Sequence, residues 1–420
     1  MLEAPSERNP SHDGATAVSG DGMRPIWMVI LAAAAIAAVG MGLRQVMGLY
    51  LKPMSDGLGL GREVFALSIA ITNIVWGIAA PFTGAISDAY GSGRVAVFGA
   101  IMTISGLLSL YFAASETHMV LAGILLGLGV AGCGVNAMVG AVARRVTPEA
   151  RTAAIATIGM GSGVGILVAM PYTHLLMEWL GWRQSLLVLA SSAASILLLA
   201  VVIRGSPAAQ TGEAQQGLGA ALREAFAHPS FWLLNAGFFV CGFHVVFYGT
   251  HLPAYVADRG FANHVAVTAL TVVGLGNLLG TYVAGQWGRS RPKRHGLALI
   301  YAGRALVFLG FLFLPTTPAT IIVLSGALGV LWLSTVPLTS GLVATFFGAR
   351  WMTMLYGVVF LSHQAGSFLG AWLGGYLFDK LQSYDAMWWI SVGLGLAAAL
   401  INLPIREVPV KRQPVVAVTV

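Results

Sequence analysis

From Ile26 to Leu51 the chain carries a single charged residue, Arg44, and nearly every other position is apolar or small. A helix needs about 20 mostly apolar residues to cross a bilayer, so this run is long enough to span one. Reading apolar runs between polar breaks gives twelve such segments. They lie at 26–52, 64–87, 95–114, 118–143, 152–178 and 184–203, then at 230–257, 264–287, 297–314, 319–345, 351–378 and 386–404. Only 9% of residues are charged and 57% are hydrophobic, against about 25% charged in a soluble domain. A water-soluble globule could not hide that much apolar surface. The short alternating segments of a membrane barrel are missing, so the expected class is an all-α polytopic membrane protein with twelve transmembrane helices in two six-helix bundles.

The polar stretches divide the chain. Residues 1–24 are expected to form a disordered cytoplasmic tail, 25–204 an N-terminal six-helix bundle and 205–228 a cytoplasmic linker. Residues 229–405 form the C-terminal six-helix bundle and 406–420 a second cytoplasmic tail. An internal echo supports two related halves: Gly163 and Gly165 precede "HLLMEWLGWR" in the fifth segment, and Gly366 and Gly370 precede "YLFDKLQSYD" in the eleventh. Transporters are commonly built from such repeats, with the site between them.

Orientation follows from basic residues, which concentrate on the cytoplasmic side. Of 23 Lys and Arg, Lys52, Arg62, Arg183, Arg259 and Lys380 fall on one face, and Arg44 and Arg304 lie within segments. All the others share the opposite face with both termini. The protein is thus expected in the plasma (inner) membrane with both termini cytoplasmic. Its net charge of +7 reports topology and calls for no nucleic acid. Cys133 and Cys241 stand alone in apolar runs, which gives neither a disulfide pattern nor a metal-ligand spacing. No phosphate-binding glycine loop and no nucleophile constellation is found. The expectation is a protein that is not an enzyme, uses no cofactor and no metal, and contacts lipid and a small molecule as a monomer.

The turn "GAISDAYGSGR" between the second and third segments holds Gly84, Asp88, Gly91 and Arg94. It resembles the loop motif of the major facilitator superfamily, G-x-x-x-D-R-x-G-R-R, with Ala89 where an arginine is usual. The stretches "RQVMGLYLKPM", "GFHVVFYGTHLPAYVADRG" and "SHQAGSFLGAWLGGYLFD" resemble the bacterial monocarboxylate-transporter-like branch of that superfamily. The resemblance implies the major facilitator fold, with the first, fourth, seventh and tenth helices lining a central cavity. It also implies a gating role for Gly84, Asp88, Gly91 and Arg94, Asp88 pairing with helix ends or a basic residue of the other half. The eighth segment of that family often carries an Asp and an Arg that handle the carboxylate. Here it offers only Asn277.

Polar residues within the segments nominate the site. An arginine at mid-bilayer costs at least about 2.5 kcal/mol on insertion scales and usually faces a cavity or an anion. Arg44 is therefore the leading carboxylate ligand, the alternative being a bond to carbonyls of a neighbouring broken helix. Arg304, closer to a basic loop, is expected to reach back to the membrane edge. In the seventh segment Cys241, His244, Tyr248, His251 and Tyr255 share one helix face, so His244 and Tyr248 are substrate-binding candidates and His244 and His251 proton-coupling candidates. The bland reading is histidines bonded to nearby carbonyls. Asn136, Asn277, His363 and Gln364 complete the expected binding set, with Asn73 and Trp76 as a further polar patch. Every Asp and Glu falls in a tail, a loop or at a segment end, so a coupled proton must use a histidine or the carboxyl group of the cargo. The function expected is a secondary active transporter working by alternating access, taking up a small organic anion such as a monocarboxylate, with proton symport. An exporter of hydrophobic or amphiphilic compounds and a non-transporting membrane sensor are the alternatives.

Overall fold

The computed structural model describes residues 25–135, 137–138, 148–204, 218–348 and 352–410. They are helical almost throughout, because a membrane-embedded chain must satisfy its main-chain hydrogen bonds internally. The first span is α1 (Ile26–Gln45) followed by α2 (Met47–Leu58), with a break at Val46. Then come α3 (Arg62–Tyr90), α4 (Ser92–Tyr111) and α5 (Glu116–Cys133). The fifth and sixth spans form α6 (Pro148–Val202), which turns back at Gly181, where φ is 77° and a side chain would be strained. A short helix, α7 (Leu218–Phe226), precedes the second half.

That half runs α8 (Pro229–Asp258), α9 (Asn263–Ser290) and α10 (Lys293–Phe313). The tenth span is broken into α11 (Pro318–Val330) and α12 (Thr335–Phe347), and α13 (Met352–Leu381) and α14 (Asp385–Asn402) close the chain. Pro229 and Pro318 sit in first turns, where a missing N–H costs nothing. Most expected segment boundaries agree with these helices within a few residues; α2 runs on to Leu58, six residues past the expected end, and the expected end of the fourth segment at 143 lies outside the described residues. The two breaks, at Val46 and at 331–334, lie inside runs that read as continuous.

The glycine echo has a structural meaning. A Cβ at Gly165 would collide with the main chain at Ala38 of the first span, and Cβ atoms at Gly366 and Gly370 would collide with Phe239 and Phe243 of the seventh. The fifth span thus packs on the first as the eleventh packs on the seventh, both through close small-residue contact. The two six-helix bundles are pseudo-symmetric.

Between the bundles, side chains close one face. At the face opposite the termini, Arg62 of α3 donates two hydrogen bonds to Asp258 at the end of α8, one of 2.6 Å, and a third to the Tyr384 hydroxyl at 3.0 Å. Its guanidinium lies 3.7 Å over Phe378. The N-terminus of α3 has no side-chain cap of its own. Asp379 of the other half supplies it, accepting from the Arg62 and Glu63 main-chain N–H groups at 3.1 and 2.8 Å. At the terminus-bearing face a Cβ at Gly84, Gly159, Gly285 or Gly357 would meet open space. The four helices that carry these glycines are α3, α6, α9 and α13.

Candidate functional site

Arg44 occupies the last turn of α1, just before the break at Val46. It borders a cavity of about 40 Å³ between α1, α2, α3, α4, α5 and α8. One water needs roughly 10–15 Å³ by this measure, so the space takes a carboxylate group or about three to four waters. Ser68, Thr72 and Asn73 give it one polar wall, Gln45, Thr103 and Thr250 add further polar groups, and Phe65, Leu126, Val245 and Val246 are among the apolar residues that make up most of the remainder.

The guanidinium is poorly satisfied. Its Nη2 donates to Asn73 Oδ1 at 2.6 Å and its plane lies 5.0 Å from the Trp76 ring, while Nε is buried with no partner. No carboxylate pairs with it among the described residues. Asn73 is itself fixed, because its Nδ2 donates to Ile69 O at 2.8 Å. A cation with a free Nε–H beside an engaged Nη2–H presents the edge that a carboxylate grips with two parallel bonds. The cavity floor is tight: a Cβ at Gly48 would collide with Gly249 O, so α2 and α8 cross in direct contact there.

The remaining predicted residues lie elsewhere. The polar stripe of the seventh span does not face this cavity; it faces the interior of the C-terminal bundle. His244 is 1% exposed and its Nε2 lies 2.9 Å from Ser391 O, with the ring against Phe308. Tyr248 is buried, its hydroxyl 2.6 Å from Ser325 Oγ. His251 bridges the Tyr384 hydroxyl at 3.1 Å and Ala371 O at 2.8 Å. These side chains are held by main-chain and hydroxyl partners supplied by α11, α13, α14 and the residue before α14. The period of three and four residues located one face of α8 and could not say which neighbours that face meets.

Asn277 accepts from Leu333 N at 3.0 Å and so satisfies an N–H freed by the break in the tenth span. Arg304 corrects a second expectation. It does not reach the membrane edge but is wholly buried, donating through Nε and Nη2 to Leu331 O at 3.1 and 2.7 Å and through Nη2 also to Trp332 O. The carbonyls of a broken helix, considered as an alternative for Arg44, are in fact the partners of Arg304. Gln364 sits at the interface between halves, where its Nε2 donates to Asn73 O at 3.0 Å, and His363, packed within the C-terminal half against Phe238 and Phe360, has Nδ1 3.0 Å from Gln364 Oε1.

Asn136 and the Asp88 side chain lie outside the described residues. Gly91 ends α3 with φ 91°, Arg94 is exposed on α4, and Gly84 looks into open space. Arg62 and Lys52, which sequence reasoning counted only for topology, close the far face together with Asp258 and Asp379, which it did not single out. Lys52 Nζ lies 3.3 Å from Asp258 and 3.2 Å from Asp56. Matching the few far-side bases with the acids at the ends of the seventh and eleventh spans would have found them.

The sequence profile described as Major Facilitator Superfamily matches residues 28–371. The chain belongs to that superfamily. Among its relatives, mouse monocarboxylate transporter 11 is 26% identical over 398 residues, covering 90% of this chain and 86% of that one. Bovine monocarboxylate transporter 13 is 25% identical over 391 residues, covering 90% and 89%. Among solved structures, a sulfate complex of the peptide transporter POT superposes with a TM-score of 0.70 at 16% identity, over 90% of this chain and 94% of that one. An inward-facing, occupied bacterial homolog of the human lysosomal transporter Spinster gives 0.68 at 16%, over 91% and 95%. This major facilitator protein is therefore a membrane-embedded secondary transporter and not an enzyme.

Proposed function

We propose that the protein takes up a small monocarboxylate with a compact apolar body, binding its carboxylate at Arg44. The observation that carries this reading is the Arg44 cation, with no carboxylate partner among the described residues, beside a mostly apolar cavity. A second carboxylate would have no cation to meet there, which disfavours dicarboxylates. Relatives named as monocarboxylate transporters over nine-tenths of the chain support the same class. Alternating access fits the Arg62–Asp258–Asp379 cluster, which closes one face and would have to part as the halves rock. His244 and His251 are engaged by carbonyls, so proton symport would travel on the carboxyl group of the cargo. The inner membrane with cytoplasmic termini fits the placement of basic residues.

The test is uptake of radiolabelled propionate, pyruvate and benzoate into proteoliposomes. Wild-type protein should accumulate at least one of them, faster with an inward proton gradient. Arg44→Gln should reduce uptake to the protein-free background while the variant reconstitutes normally. Unchanged kinetics in Arg44→Gln would remove Arg44 from the site.

A further inference from the structure

Six side chains form a closed circuit that begins and ends at Arg44 and crosses between the halves. Along one arm Arg44 donates to Asn73 Oδ1, and the main-chain carbonyl of the same Asn73 accepts from Gln364 Nε2 of α13. Along the other arm the guanidinium lies over Trp76, whose ring meets Phe360 of α13 edge-on with centroids 5.0 Å apart. Phe360 lies nearly parallel to His363, at 7° and 5.9 Å. His363 closes the loop through the 3.0 Å contact to Gln364 Oε1. Gly77 makes the crossing possible, because a Cβ there would come within 2.8 Å of the Gln364 Cβ.

We propose that this circuit couples occupancy of Arg44 to the contact between α3 and α13, with Gln364 and Phe360 as positioning residues. The inference rests on the reading of Arg44 as the binding cation. In the empty site the Asn73 carboxamide holds the Nη2–H that a carboxylate needs for a two-bond grip. A carboxylate therefore competes with Asn73 for Arg44. Asn73 touches both the cation and the other half, so any change in its helix turn is felt at Gln364. Trp76 moves with the guanidinium it faces and transmits the same event through Phe360. Gln364 thus reports on the site without entering it: its amide is spent on Asn73, His363 and, at 3.4 Å, the Ser367 hydroxyl.

The experiment is a double-mutant cycle on the ligand-free protein. Ala257→Cys places a thiol in the far-face crevice between the halves, whose lining includes Ala257 and Lys52, and its labelling rate by a membrane-impermeant maleimide is the readout. Arg44→Gln and Gln364→Met should each raise that rate about threefold or more, and the double variant should add little further, since residues in one network are not additive. Phe360→Leu serves as the second probe if Gln364→Met does not fold. Independent, additive effects, or no effect of either change, would overturn the coupling. The ligand arm separates this from the preceding proposal. Wild type and Gln364→Met should bind propionate or benzoate with similar affinity in a thermal-shift titration, while ligand-dependent labelling and maximal uptake fall in the variant alone. If wild-type protein binds neither acid, the substrate reading fails, whereas the ligand-free cycle still decides the coupling.

Discussion

Arg44 and Arg304 are both arginines inside the membrane, and each lies near a helix break in its own half. Arg304 spends three hydrogen bonds on Leu331 O and Trp332 O, where α11 ends, and the negative end of that helix dipole favours its charge. Arg44 has one neutral side-chain partner and a cavity. Both keep one buried nitrogen without a partner, Nε in Arg44 and Nη1 in Arg304. The difference is therefore in what the rest of each fork does. A cation consumed by carbonyls holds a fold, whereas a cation left beside open volume is available to an anion.

The sharpest way to break this comparison is to make the same change at both positions. Arg304→Gln orphans two buried carbonyls and should cost on the order of 3 kcal/mol, since each unsatisfied buried group costs about 1–3 kcal/mol. The expected readout is a large fall in melting temperature and in the yield of monodisperse protein. Arg44→Gln should leave melting nearly unchanged, because it removes a poorly partnered charge. Equal destabilisation by the two changes would erase the distinction between them.

The sequence carried one half of this contrast and hid the other. Arg44 was legible because charge in an apolar run of that length is expensive, and a cavity is the usual reason for it. The fold was legible for the same reason: twelve apolar runs leave few other solutions. Arg304 misled because distance from a basic loop says nothing about the break at 331–334, whose mark in the sequence is Pro337 in the first turn of α12. Asn277 and the His244–Tyr248 stripe misled in a related way. A polar residue on an apolar helix must meet something polar, but freed main-chain groups and hydroxyls of neighbouring helices serve as well as substrate. Arg62, Asp258 and Asp379 were visible as charges at span ends, and only the packing of the two halves pairs them.

A smaller effect comes from replacing geometry while keeping charge. Lysine supplies a point charge on a flexible stem, without the planar fork of arginine. Arg304→Lys cannot donate to two carbonyls with the same spread and should recover only part of the stability lost in Arg304→Gln, as read by thermal melting. Arg44→Lys should retain measurable uptake, with KM raised about tenfold for the loss of a two-bond grip, roughly 1.4 kcal/mol. Full uptake with unchanged KM would mean that Arg44 acts through charge alone.

The smallest expected effect tests whether the buried stripe of α8 belongs with Arg304 or with Arg44. Tyr248 is wholly buried, and its hydroxyl meets Ser325 Oγ at 2.6 Å, while Ser325 Oγ also donates to Ile321 O. Its ring is walled by Phe311, Trp332 and Trp388, with no path to the Arg44 cavity among the residues that line it. Tyr248→Phe keeps that aromatic packing and removes one hydrogen bond, so it should cost about 1 kcal/mol of stability and leave KM for uptake where it was. A change in KM without a change in melting would move Tyr248 to the Arg44 side of the comparison. It would also require that the C-terminal bundle open toward the cavity at another stage of the cycle, because in the present arrangement the tyrosine is buried against Ser325 and three aromatic rings.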